Sequence, residues 1–205
     1  MDSKVILTAA GIGTILLLLS RRRRQQRQDN QVINNVVEST NVNDTLASNL
    51  KDLLNANDNF GFWTVDKITK PERKIKLYNI MNRVSDFKKF SSAFLKLCKN
   101  QKTLQDALQS ACDNEVYTKA LNIAKCKKVI TTAETPLMIF EPDNITAITK
   151  NVSKNKIIGS LKNQNGNSLK VIWDFVDVAT FGFDLKERIT NTTTAFCKVV
   201  DPTNR

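Results

Sequence analysis

Four aspartates in the C-terminal third, Asp143, Asp174, Asp177 and Asp184, would supply general acid and base chemistry if folding brought two of them into one site. Their spacing argues against it. A strand sends successive side chains to opposite faces, so Asp174 and Asp177 fall on opposite faces of any continuous strand. Solvation at a surface accounts for each of the four equally well. Histidine is absent from the chain, which removes the commonest general base and the commonest metal ligand.

Cysteine offers a second chemistry. Cys98, Cys112, Cys126 and Cys197 include no C-x-x-C pair, so a structural zinc site lacks the close ligand pairs it needs. The first three stand fourteen residues apart, close to four helical turns, which predicts buried free thiols facing inward on successive helices. A bridge between Cys98 and Cys112 would require an oxidising compartment. Gly11-Ile12-Gly13 has the start of a dinucleotide loop but neither a preceding strand nor a third glycine. Trp173 and Phe175 beside Lys170 have the composition of a single-strand stacking platform. With only two tryptophans and two tyrosines in the chain, core packing is the better account. No catalytic residue, cofactor, metal or small-molecule substrate is expected, and the chain reads as a non-enzyme.

The strongest pattern lies at the other end of the chain. Residues 5–20 (VILTAAGIGTILLLLS) carry no charge, and Arg21, Arg22, Arg23, Arg24 and Arg27 follow at once. A helix over this run would present Val5, Ile6, Leu7, Ile12, Ile15, Leu16, Leu17, Leu18 and Leu19 to hydrocarbon. Sixteen residues reach about 24 Å, short of the roughly 30 Å bilayer core. Lys4 and Arg21 close the gap by sending their charged ends to the headgroups. A cleaved signal peptide carries its charge ahead of the apolar region and small residues behind it, the reverse of this order. The run therefore predicts an uncleaved single-pass anchor.

Orientation follows from the arginines. Positive charge stays on the cytosolic side, so the N-terminus is expected to be lumenal and residues 21–205 cytosolic. The same arginines would meet anionic headgroups. Ala9 and Gly13 form a small-x-x-x-small pair that permits close helix pairing in the bilayer. Four sequons, at Asn43, Asn144, Asn151 and Asn191, are near the number chance provides among 22 asparagines. In this orientation they never meet the glycosylation machinery.

Net charge is +11, and residues 29–205 keep 25 basic against 19 acidic side chains, a net of +6. Such a domain has either a solvated lysine surface or a docking face for an acidic partner. Behind the anchor and its arginine stop (1–28), the Gln/Asn-rich residues 29–43 read as a polar linker or stalk. Residues 44–128 follow as a mainly helical subdomain. Asp44 or Thr45 would cap a helix carrying Leu46, Leu50, Leu53 and Leu54 that ends in the asparagine run 55–59. Residues 60–65 have the character of a strand. Pro71 starts a second helix, with an inward stripe of Ile75, Tyr78, Ile80, Met81 and Val84. Ser85 or Asp86, Thr103 and Asp113 open three more, with Glu115 near a capping-box position.

Residues 129–205 form a mainly β subdomain. Thr131, Thr132, Thr135 and Pro136 break the helical pattern. Strands are expected over 137–140, 144–149, 156–162, 169–176, 178–185 and 195–200, with Asn165-Gly166 turning a hairpin. The fold class is α+β, a helical bundle followed by a small antiparallel sheet or sandwich.

A short anchor with an arginine stop at residues 4–28, ahead of an Asn/Lys/Thr-rich domain, resembles the membrane-anchored minor structural proteins of large icosahedral DNA viruses. These connect an internal virion membrane to the capsid shell. The resemblance implies a minor capsid or assembly protein at the virion inner membrane, with lipid and other capsid proteins as partners. No residue role comes with it. The alternative expectation is a membrane-apposed protein that binds nucleic acid or anionic lipid through Arg21 to Arg27 and the lysine surface.

Overall fold

The computed structural model of the chain describes residues 42–59, 62–143, 145–179 and 183–203. The expected anchor, its arginine stop and the Ala9/Gly13 pair lie outside them, as do residues 29–41 of the expected linker. Among the described residues, no helix is long and apolar enough to cross a membrane. The described residues all belong to one compact unit. Its described part is α+β, with five helices and a seven-stranded antiparallel sheet.

Helix α1 (Val42–Leu54) buries Leu46, Ala47, Leu50 and Leu54. It is already helical before the expected cap: Asp44 sits in the first turn, where a carboxylate favours the positive helix end, and Asn43 is buried. Asn55 stops it in the left-handed region at φ 47°, with Asn55 N–H bonded to the Asp52 carbonyl and Ala56 N–H to that of Lys51, both at 3.0 Å. This is the two-bond C-terminal closure that residues tolerant of positive φ permit. The asparagine run then continues as strand β1 (Asn57–Asn59), paired with β2 (Phe62–Thr64).

Helix α2 (Pro71–Asn82) starts at its proline as expected. Helix α3 (Phe87–Leu97) is capped by Asp86, which accepts from the Lys89 N–H at 2.9 Å. Helix α4 (Leu104–Ala111) opens in a capping box between Thr103 and Asp106. Asp113 caps α5 (Asn114–Lys125) by accepting from the Val116 N–H at 2.8 Å. Glu115 stands one position too early to reciprocate, so the box expected there does not form. Cys98, Cys112 and Cys126 are the C-cap residues of α3, α4 and α5. Their spacing is thus the length of one helix plus its connection. Cys98, Cys112 and Cys197 are buried, whereas Cys126 is exposed, against the expectation of an inward thiol.

The sheet runs β3 (Lys128–Thr131), β4 (Thr135–Phe140), β5 (Ala147–Val152), β6 (Ile157–Asn165), β7 (Ser168–Ala179), β8 (Phe183–Thr193) and β9 (Cys197–Val200). Its spatial order is β5-β4-β8-β7-β6-β3-β9, and every pairing is antiparallel. Three strands differ from expectation. Strand β3 occupies the stretch read as a helix-breaking connection. Strand β8 replaces the strand read over 178–185, which straddles the end of β7 and the start of β8. Its apolar residues are sparse because Thr190 and Thr192 fill buried positions. Strand β5 begins later than expected because the Asp143 carboxylate accepts from the N–H groups of Ile145 and Thr146 at 2.8 and 2.9 Å and holds that segment as a turn. The β6–β7 turn is also displaced by one residue, to Gly166-Asn167, and Gly166 alone takes positive φ (56°).

The two faces of the sheet have separate cores. Phe175 joins the helical core built from residues such as Leu50, Leu77, Met81, Phe90, Phe94 and Leu108. Val129, Leu137, Ile139, Val152, Ile158, Leu169, Val171, Trp173 and Cys197 form the second. No helix contributes to this second cluster among the described residues. Register shifts interrupt the β3–β6, β6–β7 and β7–β8 pairs, and such irregularities bend a strand locally. Among the described residues, the strands from β3 to β9 form one sheet and not the two facing sheets of a sandwich.

Candidate functional site

Strand β7 is paired with β8 along its length, but β6 accompanies it only as far as Ser160 opposite Ile172. Beyond that point its free edge would leave buried backbone groups unpaired, at a cost of about 1–3 kcal/mol each. Helix α2 takes the place of the missing strand. Asn79 accepts from Phe175 N–H at 2.8 Å and donates to its carbonyl at 3.1 Å, as a neighbouring strand residue would. Asn82 accepts from Ser160 N–H at 2.9 Å and donates to the carbonyls of Ile172 and Trp173 at 3.0 Å each. Arg83 donates to Trp173 at 2.9 Å and to Ile157 at 2.5 Å. Positions 79, 82 and 83 share one helix face, so one helix bridges two diverging strands. Close approach demands Gly159: at φ 144°, a Cβ there would lie 1.9 Å from the Ile172 carbonyl oxygen.

A charged cluster forms at this split. The β7–β8 register shift makes Trp173 the extra residue, so Ile172 and Phe175 both pack toward the helices while Trp173 joins the opposite core. The Arg83 guanidinium carbon lies 5.1 Å from the Trp173 ring centroid, and the Lys150 ammonium lies 5.6 Å from the same ring. Arg188 holds Asp174 through two nitrogens, with Nε to Oδ1 at 2.7 Å, and reaches Glu141 at 3.3 Å. The cluster thus counts three cations and two carboxylates.

The electrostatics follow the burial. Loss of water pulls the Arg83 pKa down to about 10, with Asp174 opposing and Arg188 adding to the effect. Burial also lowers that of Lys150, with Arg83 and Arg188 adding and Asp174 opposing. For Arg188, burial is outweighed by the hydrogen bonds and charges of Asp174 and Glu141, and its pKa is raised. Lys128 is a second fully buried cation, outside the cluster but within the field of Arg83. Its ammonium donates to the Ile123 carbonyl at 2.6 Å and the Ser160 hydroxyl at 2.7 Å, and burial lowers its pKa to about 7.

The aspartates considered for acid–base chemistry are not assembled into one site. Asp143 holds its turn, and Asp174 is locked to Arg188. Asp177 lies on the other face of β7, since the register runs unbroken from 174 to 177. The side chain of Asp184 is outside the described residues. Trp173 and Phe175 are 5% and 1% exposed and pack in different cores, which removes the stacking platform. Cys126 lines an open furrow of about 500 Å³ along α5, with Glu115 and Lys119. Among the described residues, no three Cys, Asp or Glu side chains are grouped to hold a metal ion.

Sequence reasoning passed over Asn79, Asn82 and Arg83 because it read α2 for its apolar stripe alone. The signal was the crowding of apolar residues on both sides of them: every residue from 77 to 84 is buried, so the polar ones had to find partners inside. No protein-family model, curated sequence or solved structure matches the chain.

Proposed function

We propose that the protein is a single-pass membrane tether, a minor structural or assembly protein whose α+β domain holds a protein shell or assembly at a membrane. One observation carries this reading: the uncharged run 5–20 abuts five arginines within the next seven positions. That order is the pattern of an uncleaved anchor with its following domain in the cytosol. The net charge of +6 behind the anchor supports docking onto acidic protein surfaces.

Expression in cells with a tag at each end tests it. The chain should stay in the membrane fraction after alkaline extraction, with the C-terminal tag open to protease from the cytosolic side and no mass change on glycosidase treatment. Extraction into the soluble fraction, or a glycosidase shift, overturns the reading. Cross-linking in the native membrane should then return structural proteins as neighbours. The five arginines also favour a second reading, binding of nucleic acid or anionic lipid. With residues 1–28 deleted, a nucleic-acid binder should lose affinity steeply as salt rises, whereas a tether's domain should still hold its protein partner at moderate salt.

A further inference from the structure

The charged cluster carries one positive charge more than its carboxylates balance. Asp174 and Glu141 both pair with Arg188, and although Asp174 also acts on Arg83 and Lys150 from a distance, neither cation stacked on Trp173 has an ion pair of its own. Arg83 is occupied by carbonyls, which satisfy its hydrogens but not its charge. The Lys150 ammonium makes no hydrogen bond or ion pair among the described residues, and burial disfavours its charge more than Asp174 supports it. A partly desolvated cation without a partner is a standing cost that an anion would relieve.

The surroundings of Lys150 define the anion. Lys150 lies on β5, an edge strand whose outer side no described strand pairs. Ile148 shares its face two positions away and is 45% exposed. Three residues earlier in the chain, Ile145 in the β4–β5 turn is 88% exposed. A single excess charge matches a carboxylate, whereas a phosphate dianion would overcompensate it beside Asp174 and Glu141. An exposed strand edge takes an extended peptide through main-chain hydrogen bonds, with alternate side chains setting specificity.

We infer that β5 is a docking edge for an extended, acidic segment of a partner protein, whose Asp or Glu side chain meets Lys150 while an apolar residue two positions away covers Ile148. The site stands on the β5 geometry and does not depend on the anchor.

The test uses the full chain in detergent micelles with Trp63→Phe, which leaves Trp173 as the sole tryptophan and a reporter 5.6 Å from the Lys150 ammonium. The probes are the peptide TVTETV, its glutamine counterpart TVTQTV, and inorganic phosphate. TVTETV should change the Trp173 emission saturably. The glutamine peptide and Lys150→Met should each weaken binding about tenfold or more, with Lys150→Arg restoring it. Lys170→Met, at an exposed lysine away from β5, should leave binding unchanged. Several outcomes overturn the inference: no saturable response to TVTETV, equal affinity for TVTQTV, undiminished binding to Lys150→Met, or saturation by phosphate alone with displacement of the peptide. If Lys150→Met fails to fold, the glutamine comparison on the parent chain decides.

Discussion

The two halves of strand β7 are held by different means. From Ser168 to Ile172 a strand partners it on each side, and its inward residues Leu169 and Val171 follow the ordinary alternation. Beyond Ile172, one side is held by Asn79, Asn82 and Arg83 of α2. The first half is generic, since any β-branched or apolar residue of suitable size satisfies a ladder that main-chain atoms complete. The second half depends on side-chain length and hydrogen-bond chemistry at three positions. Polar pairing by side chains thus concentrates in a few residues what a strand spreads over many.

The sharpest way to break this contrast is at the point of closest approach. Gly159→Ala should cost about 4 kcal/mol or more, because the added methyl meets a backbone oxygen and the φ is one that alanine resists. Loss of the folded chain, followed by far-UV circular dichroism, is the expected result. Asn82→Ala should cost about 3 kcal/mol in urea unfolding, because it strips hydrogen bonds from Ser160, Ile172 and Trp173 together. A loss under about 0.5 kcal/mol, the range of ordinary surface substitutions, would show that the two halves of β7 are not held differently after all.

Lys128 sharpens the contrast from β3, beyond β6, where a buried cation hydrogen-bonds only neutral partners. Its folded pKa of about 7 lies below the ordinary 10.5, so the unfolded chain binds more protons between those values. Stability should therefore rise with pH from about 7 toward 10.5, by up to about 1.4 kcal/mol per unit from this group. Lys128→Met should flatten that rise, as urea midpoints at pH 7 and 9 would register. The smallest effect belongs to a site remote from β7: Thr103→Ala removes the α4 capping box and should cost about 1 kcal/mol. The cap of an isolated helix end sets the scale against which the α2 side chains are judged.

Local signals in the chain were readable to the extent that their causes are local. Asp86, Thr103 and Asp113 cap where short polar side chains precede apolar periodicity, and Pro71 opens α2 because its ring suits that position. Strand β3 escaped notice because its four residues, KVIT, are all buried and show no alternation. Strand β8 escaped because buried threonines do the work of apolar residues. The charged cluster was invisible for another reason: it joins residues 83, 141, 150, 174 and 188 through a register shift that no short window contains. Asp174 was noticed, but its partner Arg188 was not, since only the β7–β8 pairing makes them neighbours.

The three C-cap cysteines turn the helical layer into its own reporter. Burial raises the pKa of Cys98 and carries that of Cys112 to about 11, so both resist alkylation until their helix ends come open, while Cys126 stands exposed. A thiol reagent applied to the intact protein would mark α5 at once and then α3 and α4 at the rates at which those segments breathe. Mass spectrometry of the time course would read the order in which the layer loosens, without introducing a single probe.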